Sequence, residues 1–477
     1  MTDDRATTPI LVVDLDGTLI RSDMLYESFW AGFARDWTTP FTAIGALIRG
    51  RAALKAELAR AAAPDIATLP YNPEVIELVT DWRARGGRTA LVTAADSRLA
   101  GLVADHLGIF DETHASDGTR NLKGAEKAAL LDQQFGPGGY VYVGDSTADL
   151  AVWARAADAI TVDAPQGLRR KVEALHPTAR HLGAPASTNR ALLNAMRPHQ
   201  WLKNLLVLFP VIAAHGFTPV MIAQSVIAFF AFSLVASSVY LLNDLLDIRS
   251  DRAHPRKRMR PMASGALKLQ RGMMMIPILL FAGLVLSLFL PAAFLVVLTA
   301  YYLLTIAYSL WLKRQPIIDI VTLAALYTLR VMAGGAATEL ELSVWMLAFS
   351  VFLFLSLAAV KRQAELVDLE TRGADKTSGR GYRVGDLATV SQMATASGFV
   401  SVLVLMLYLN EPTVRHQYSQ PAYLWGAGLA LIFWISRTVL LTARGQMHDD
   451  PIVFAARDKV SLGVLVLIVA LFAGATL

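Results

Sequence analysis

The sequence predicts an N-terminal α/β domain with a doubly wound parallel sheet, followed by a C-terminal all-α polytopic membrane bundle of about nine helices. Before about residue 190, short apolar runs alternate with charged and Gly-rich segments, as in a soluble domain. After that point, apolar blocks approach the roughly 20 residues that a helix needs to cross a bilayer. The composition agrees, because 54% hydrophobic and 17% charged residues is too apolar a balance for an ordinary soluble enzyme.

The composition also excludes several classes of site. The chain has no cysteine, which rules out disulfides, thiolate nucleophiles and Cys-ligated metals. Its net charge of +5 is typical of the cytoplasmic loops of a membrane protein, so no nucleic-acid partner is expected. The N-terminus has an acidic start and a very short apolar run, and we do not expect a signal peptide there.

Three buried-strand runs in the first half end in polar residues. Asp14 and Asp16 follow "ILVV", Thr93 lies in "RTALVTAAD", and Asp145 and Asp149 follow "YVYVG". Strands that alternate with helical patterns predict a parallel sheet, which gathers ligands at the carboxyl ends of its strands. We therefore expect these side chains to form one site.

The residue types at this site suit phosphoryl transfer. Asp14 is the candidate nucleophile, and Asp16 is the candidate acid that protonates the leaving oxygen. Thr93 and Lys123, from "NLKGAEK", are the candidate ligands of the phosphoryl oxygens. The candidate Mg²⁺ ligands, all hard oxygen donors, are Asp14, Asp16, Asp145 and Asp149. Alone, "DLDGT" could be a turn after a strand, but the later motifs in the same order favour a catalytic site.

The second half contains the candidate membrane spans. They lie near residues 204–222, 223–242, 273–290, 292–311, 317–336, 343–361, 391–409, 421–442 and 459–476. Lys and Arg crowd into the loops on one side of this arrangement, and we find only Arg415 in the loops on the other side. This asymmetry predicts a multi-pass protein of the plasma (inner) membrane whose N-terminal domain and active sites face the cytoplasm.

One predicted helix carries acids where it leaves the membrane. If residues 239–251 are helical, Asn243, Asp244, Asp247 and Asp251 lie within about 100° of one another on one face. Acids at this depth are costly unless they line a polar cavity or bind cations. The three aspartates are candidate Mg²⁺ ligands, and Asp247 is the candidate catalytic residue among them, with Asn243 as a substrate ligand.

Basic residues follow these acids at once. Arg258 and Arg260, in "RAHPRKRMRP", are candidate ligands of substrate phosphates. An amphipathic helix end with an ordinary positive-inside loop would explain the arginines, but not the shared face of the aspartates.

Further candidate substrate ligands lie at other helix ends. Lys361, Glu365 and Asp368 share a face within about 60°, although such pairs are also common surface decoration. Arg197 and Lys203 precede the first span, where simple positive-inside flanking is the alternative explanation.

The motifs "DLDGT", "VTAAD", "LKG" and "GDSTAD" resemble those of the haloacid dehalogenase (HAD) superfamily of phosphatases over roughly residues 8–175. All four are intact, which implies an active phosphohydrolase with a cap at about residues 24–72. The cap is unusually apolar, and either packs against the core or contacts the membrane or a lipid tail. The predicted domains are then residues 1–180 and 191–477, joined by a linker at 181–190.

Residues 190–477 resemble the UbiA superfamily of intramembrane prenyltransferases, because "NDLLDIRSD" fits its first Asp-rich motif. The second motif departs from that family, since "KRQAELVDLE" has Glu365 in place of an aspartate. With "MRPHQWLKN", "DRAHPRKRMRPMASG", "YSLWLKRQPIIDI" and "RVMAGGAAT", the chain is similar to the branch that transfers phosphoribosyl from 5-phosphoribosyl 1-diphosphate (PRPP) to decaprenyl phosphate.

These resemblances imply a Mg²⁺-dependent bifunctional enzyme. It would transfer 5-phosphoribosyl to a polyprenyl phosphate and then remove the 5-phosphate, giving polyprenyl-phosphoryl ribose. The alternative is a prenyltransferase that acts on an aromatic or quinone precursor, fused to a phosphatase with a separate substrate. Two further hypotheses are a phosphatase merely anchored by its helices and a lipid-binding or transport module.

Overall fold

The computed structural model describes residues 9–117, 121–184, 188–375, 380–411, 414, 418–447 and 450–476. Arg415, the basic residue of the predicted outer loops, lies outside the described residues. The chain divides into two compact units. The first unit contains the chain up to Met196 together with Tyr240–Ile276, and the second contains Arg197–Val239 and Pro277–Leu477.

A six-stranded parallel sheet forms the centre of the first unit, as predicted. Its strands are β1 (Ile10–Val13), β2 (Thr89–Asp96), β3 (Glu112–Ser116), β4 (Tyr140–Gly144), β5 (Asp158–Val162) and β6 (Arg180–Leu182). The spatial order is β3-β2-β1-β4-β5-β6, so the chain reverses direction across the sheet between β1 and β4. Ligands bind at such a switch point in open α/β sheets. The last strand crosses the boundary predicted at residue 180.

The central strand explains why the sheet is covered on both faces. Leu11 and Val13 point into one apolar cluster, whereas Ile10 and Val12 point into another on the opposite face. Side chains alternate across a strand, so a continuous apolar run of this kind requires packing on both sides.

Helices and a cap surround this sheet. The helices of the first part of the chain are α1 (Met24–Phe33), α2 (Thr39–Ile48), α3 (Arg51–Ala61), α4 (Pro73–Ala84), α5 (Ser97–Leu107), α6 (Ala125–Phe135), α7 (Leu150–Trp153), α8 (Gln166–Leu175) and α9 (Thr188–Met196). The three helices α1–α3 lie between β1 and β2, in the segment predicted to be the cap.

Eight helices among the described residues are long and apolar enough to cross a membrane, against nine predicted. They are α11 (Pro219–Leu246), α13 (Leu269–Ser287), α14 (Ala292–Leu310), α15 (Ile318–Thr338), α16 (Val344–Thr371), α17 (Leu387–Leu409), α18 (Tyr423–Ala443) and α20 (Lys459–Thr476). The shorter helices are α10 (Phe209–Ala213), α12 (Ile248–Ala253) and α19 (Pro451–Ala455).

The difference in number lies in the first predicted span. Residues 198–208 form a 3₁₀ helix that continues into α10, and this piece ends before His215, which has a φ of 53°. Its last helical residue is Ala213, so the piece is too short to be one of the eight long helices. Proline at 210 and glycine at 216 disfavour a long continuous helix here.

The helix predicted over residues 239–251 is interrupted at one position. Helix α11 ends at Leu246, and Asp247, with φ −96° and ψ 8°, leads into α12. Helical backbone hydrogen bonds continue across the interruption. The Asp247 amide donates to the carbonyl oxygen of Asn243 at 2.9 Å, and the Asp251 amide donates to the carbonyl oxygen of Asp247 at 2.8 Å. The aspartates therefore keep nearly helical spacing.

Two features hold the helices of the second unit together. A Cβ atom at Gly334 would overlap the carbonyl oxygen of Val207, so the small residues of "RVMAGGAAT" allow a close backbone approach. The guanidinium of Arg362 lies 2.7 Å from the Asp319 carboxylate, and neither side chain is exposed. The aromatic ring of Tyr382 lies 5.5 Å from the same guanidinium.

Arg362→Met should destabilise the second unit strongly, because it leaves the Asp319 carboxylate buried without its ion-pair partner. Removing one member of a buried pair costs about 3–5 kcal/mol of unfolding free energy. Thermal unfolding of the detergent-solubilised protein measures the effect. The double variant Arg362→Met/Asp319→Leu is the control and should recover most of the lost stability. A double variant less stable than Arg362→Met would contradict this explanation.

Candidate active sites

The first candidate site begins with a buried ion pair at the end of β1. Asp14 follows the strand directly, and its amide donates to the carbonyl of Val143 in β4 at 3.0 Å. Lys127, from α6, donates its ammonium group to Asp14 Oδ1 at 2.8 Å and to the Tyr142 hydroxyl at 2.9 Å. Burial raises the pKa of Asp14 to about 6, although Lys127 acts in the opposite direction. Asp14, the candidate nucleophile, therefore lies at the centre of this site.

Two further aspartates lie beside Asp14, as the sequence predicts. Oxygens of Asp14, Asp145 and Asp149 lie within 4.8 Å of one another. Asp149 is held by hydrogen bonds from the Tyr142 hydroxyl at 2.9 Å and from the Ser146 hydroxyl at 2.9 Å. Three convergent carboxylates fit a hard divalent cation such as Mg²⁺.

Glycine is required in the loop after β1. Gly17 has a φ of 78°, and the nearest atoms to a Cβ there would belong to the Asp145 carboxylate. The glycine of "DLDGT" therefore lets the loop turn against the ligand cluster. Asp16 lies outside the three-carboxylate group, so its role as a fourth metal ligand has no support in the geometry.

Asp16 is placed for a different task. Its Oδ1 accepts a hydrogen bond from the Met24 amide at 2.8 Å, at the start of the first cap helix. Burial and the neighbouring Asp23 carboxylate raise the pKa of Asp16 well above its ordinary value. A carboxyl group with a raised pKa keeps its proton to higher pH, which suits it to protonate a leaving oxygen.

The structure places the two lysines near this motif differently. Lys127 donates to Asp14, whereas Lys123, the lysine predicted from "LKG", is exposed. The cap supplies another cation, because Lys55 donates to the carbonyl of Ala94 at 2.5 Å and to Asn121 at 3.1 Å. Thr93 is fully buried, and its hydroxyl accepts from the Ala95 amide at 3.0 Å.

The sequence gives little indication that Lys127 and Lys55 belong to this site. Lys123 lies just before α6, and Lys127 lies in the first turn of that helix, four residues later. Nothing in the pattern distinguishes the buried lysine from the exposed one. Lys55 is one of several basic residues in the cap, and only the fold brings it to the site.

The second candidate site is the Asp-rich segment at the end of α11. Arg260 Nη1 lies 3.2 Å from Asp244 and 2.5 Å from Asp251, so these two acids do share a face. Asn243 Oδ1 is buried and has no hydrogen-bond partner among the described residues. Burial raises the pKa of Asp251 to about 6, with Arg260 acting in the opposite direction.

These donors fit a Mg²⁺-diphosphate substrate. A cation would satisfy the buried Asn243 oxygen, and a phosphate would compete with the carboxylates for Arg260. Asp247 is partly exposed at the interruption after α11, in the middle of the acids. Arg258 is exposed, and Arg260 is the arginine that contacts the carboxylates.

The second unit contains a third polar cluster, centred on Asp450. Its Oδ2 lies 2.6 Å from Lys203, 3.3 Å from Lys361 and 3.2 Å from the Tyr327 hydroxyl. Lys203 and Lys361 were predicted as substrate ligands, and the structure brings them together on one carboxylate. Asp450 was missed because it precedes a short helix and belongs to no motif.

The remaining predicted ligands of the second unit are separated. Glu365 is bound by Arg362 and by Arg380, the latter at 2.6 Å, whereas Asp368 is exposed and pairs with Arg372 at 2.9 Å. Arg197 lies at the start of the unit with a φ of 54°, before the 3₁₀ helix that carries Lys203.

An arginine that the sequence analysis did not select is also buried here. Arg330 donates to Asn204 at 2.9 Å and to the Tyr301 hydroxyl at 3.0 Å. Its guanidinium lies 5.0 to 5.5 Å from the ring centres of Phe232, Tyr301 and Tyr327. Arg330 is the only charged residue in "YTLRVMAGG", and this mainly apolar stretch was interpreted as part of a membrane span.

Comparison with known protein families gives one match in each half of the chain. Residues 205–475 match the UbiA prenyltransferase family, and residues 11–153 match the haloacid dehalogenase-like hydrolases. The first match covers more than half of the chain, and the chain therefore belongs to the UbiA prenyltransferase family.

Relatives cover the chain to different extents. An uncharacterized protein of Sinorhizobium fredii is 37% identical over 97% of this chain and 90% of its own length. Nodulation protein NoeC of Azorhizobium caulinodans is 36% identical over 56% of this chain and 87% of NoeC. The decaprenyl-phosphate phosphoribosyltransferase of Mycolicibacterium smegmatis is 40% identical over 42% of this chain and 64% of that enzyme. The chain thus spans just under two thirds of the phosphoribosyltransferase.

These findings define the class of protein. It is an integral multi-pass membrane enzyme that combines a UbiA-type prenyltransferase domain with a HAD-type hydrolase domain. The predicted fold class and both family resemblances are confirmed.

Lys127→Met should reduce phosphatase kcat/KM by roughly a hundredfold or more, because it removes the cation that compensates Asp14. Hydrolysis of p-nitrophenyl phosphate by the full chain measures the effect. Lys123→Met is the matched control, and it should stay within about threefold of wild type because this side chain is exposed. Equal losses in the two variants would return Lys123 to the role predicted from its motif.

Asp23→Asn should shift the alkaline limb of phosphatase kcat to lower pH. Asp16 must be protonated to act as an acid, so activity is lost as the pH rises through its pKa. The Asp23 carboxylate contributes to the raised pKa of Asp16, and removing that charge lowers it. Asparagine can still accept the Leu25 amide hydrogen bond that caps the helix. A pH–rate profile identical to wild type would contradict this assignment.

Proposed function

We propose that the enzyme transfers 5-phosphoribosyl from PRPP to a polyprenyl phosphate, such as decaprenyl phosphate, and then hydrolyses the 5-phosphate of the product. The final product is polyprenyl-phosphoryl ribose. Both active sites face the cytoplasm, at the plasma membrane, and both depend on Mg²⁺. The family memberships and the named phosphoribosyltransferase relative support the general reaction classes.

The contacts made by the second motif favour PRPP over a prenyl diphosphate as the donor. Glu365 is bound by two arginines, Arg362 and Arg380, and is therefore already compensated by protein cations. A second carboxylate pair that bridges Mg²⁺ and a prenyl diphosphate needs acids that are free to bind metal. Arginines in this position suit a donor that brings one more phosphate group. PRPP has such a group at its 5-position.

The transfer needs one bond to form and one to break. The bond between the ribose C1 and the diphosphate oxygen breaks, and the electron pair leaves with the diphosphate. A phosphate oxygen of the lipid then bonds to C1. In the transition state between these two events, C1 has oxocarbenium-like character. Asp244, Asp247 and Asp251 would hold Mg²⁺, which supplies positive charge for the departing diphosphate. Arg260 and Asn243 bind substrate oxygens beside them.

The hydrolysis uses the site at the end of β1. The Asp14 carboxylate attacks the 5-phosphorus, and Asp16 gives its proton to the departing ribose oxygen. Asp16 then takes a proton from the water that cleaves the aspartyl phosphate. Lys127 keeps Asp14 oriented and charged. Asp14, Asp145 and Asp149 would hold Mg²⁺, which neutralises charge on the phosphoryl group.

The cap supports a lipid-borne substrate for this second step. Four residues of helix α2 are at least half exposed: Phe41, Ile44, Leu47 and Ile48, by 66%, 59%, 50% and 83%. These four side chains do not pack against the core of the domain. Of the two expectations for the cap, they fit contact with the membrane or a lipid tail. Exposed apolar helix faces of this kind fit the surface of a membrane or an acyl chain. Fusion of the two activities also raises the local concentration of the intermediate.

Two variants test the order of the two reactions. Purified protein is incubated with Mg²⁺, polyprenyl phosphate and PRPP, and lipid products are identified by mass spectrometry. Wild type should give ribosylated lipid, and Asp14→Asn should accumulate its 5-phosphorylated form. Asp247→Asn should give no ribosylated lipid while still hydrolysing p-nitrophenyl phosphate at a rate within about threefold of wild type.

The outcomes separate the candidate functions. Lack of ribosylated lipid from wild type would contradict the proposal, and polyprenyl diphosphate with an aromatic acceptor would then be tried. Loss of both activities in each single variant would contradict the two-site model. A 5-phosphorylated lipid from wild type, unchanged in Asp14→Asn, would assign the phosphatase to another substrate.

A further inference from the structure

A segment of the transferase sequence is built into the first unit. Residues 261–269 follow the Asp-rich stretch, and the side chains of Met262, Leu267 and Leu269 are at most 2% exposed. Gly265 has a φ of 78°, and a Cβ there would lie only 2.6 Å from the carbonyl oxygen of Arg21. The backbone of this segment thus contacts the loop that follows the phosphatase nucleophile, and only glycine fits.

A buried ion pair anchors the same segment to the cap. The guanidinium of Arg252 donates to both carboxylate oxygens of Glu27, at 2.6 and 2.9 Å, and both side chains are at most 5% exposed. Arg252 also donates to the carbonyl of Ala263 at 3.1 Å, which fixes the segment to the same guanidinium. Glu27 further accepts a hydrogen bond from Ser22, just before the cap. Bidentate arginine–carboxylate pairs have well-defined geometry.

This anchoring brings one lysine of the segment to the phosphatase site. Lys268 Nζ lies 3.0 Å from Asp145 Oδ2, within the carboxylate cluster of Asp14, Asp145 and Asp149. The side chain is 62% exposed, whereas Asp145 is 13% exposed, so the lysine lies at the mouth of the site. An ammonium group has three donors, and the described contact with Asp145 uses one of them.

We propose that Lys268 is a substrate-binding residue of the phosphatase site and recognises a second phosphate group of the substrate. This proposal rests on the proposed hydrolysis at Asp14 and deepens it. The phosphate that is hydrolysed lies with Asp14 and Lys127 in the interior. A cation at the mouth is suited to an anion elsewhere on the same molecule. The preferred substrate class is therefore a sugar phosphomonoester that also carries a phosphodiester.

The position of Lys268 also makes the proposed substrate preference of the phosphatase dependent on the full chain. The lysine lies far beyond the last strand of the sheet, which ends at Leu182, and belongs to the membrane half of the sequence. A phosphatase domain that ends before the first membrane helix would lack it. Specificity for the transferase product would then be a property of the fused enzyme alone.

Two soluble esters test the proposal with the full chain in detergent and saturating Mg²⁺. One is ribose 5-phosphate, and the other is ribose 5-phosphate with a methyl phosphodiester at C1. Wild type should favour the second ester in kcat/KM by about fivefold, the size expected for one exposed ion pair. Lys268→Met should abolish this preference by raising KM for the second ester, with ribose 5-phosphate unchanged. Lys268→Arg should retain most of it.

Lys171→Met is the matched control, because Lys171 is an exposed lysine of α8 and loses the same charge. It should keep the wild-type preference. Equal effects of Lys268→Met on both esters would overturn the proposal, because the lysine would then act only through Asp145. A wild-type enzyme without any preference would overturn it as well. If wild type hydrolysed neither ester, the proposed phosphatase reaction would be wrong and this inference would fall with it.

Discussion

The ammonium group of Lys127 lies 2.8 Å from Asp14 in the interior of the first unit, and similar pairs recur through the molecule. Arg252 compensates Glu27, and Arg362 compensates Asp319, with side chains that are buried or nearly so. A buried carboxylate without a cation is costly, so the position of each acid fixes the position of a base. Much of the arrangement of both sites follows from this requirement.

The same requirement explains how two chemistries share one chain. Each proposed reaction involves highly charged phosphate groups, and each candidate site has carboxylates that could hold Mg²⁺, with cations beside them. In the first unit the acids dominate around Asp14, Asp145 and Asp149. In the second unit the bases are more prominent, with Lys203 and Lys361 on a single carboxylate. The balance of charge therefore differs between these two clusters.

The architecture was largely predictable from the sequence. The parallel sheet follows from continuous apolar runs such as Ile10–Val13, and each of the eight long helices overlaps a predicted span. The three clustered acids of the first site follow strand ends, where sheet geometry brings them together. The shared face of Asp244 and Asp251 was predictable from helical spacing.

What the sequence could not provide are contacts between distant segments. Lys123 and Lys127 both lie in "NLKGAEK", and only burial in the folded domain distinguishes them. Asp450 contacts Lys203 across 247 residues of chain, and Lys268 contacts Asp145 across 123. Spacing rules apply within one helix or strand and have no information about such pairs. The missing ninth helix has a local cause instead, since proline and glycine disfavour a long helix in that stretch.

The ion pair between Glu27 and Arg252 has a consequence for biosynthesis. The two residues are 225 positions apart, so the ribosome makes the glutamate long before its partner. At about 5–20 residues per second, the interval is roughly 10 to 50 seconds. During that time the sheet can form, but the first helix of the cap retains an uncompensated carboxylate. The N-terminal domain thus reaches its final form only after the first long membrane helix has emerged, which couples maturation of the hydrolase to synthesis of the transferase.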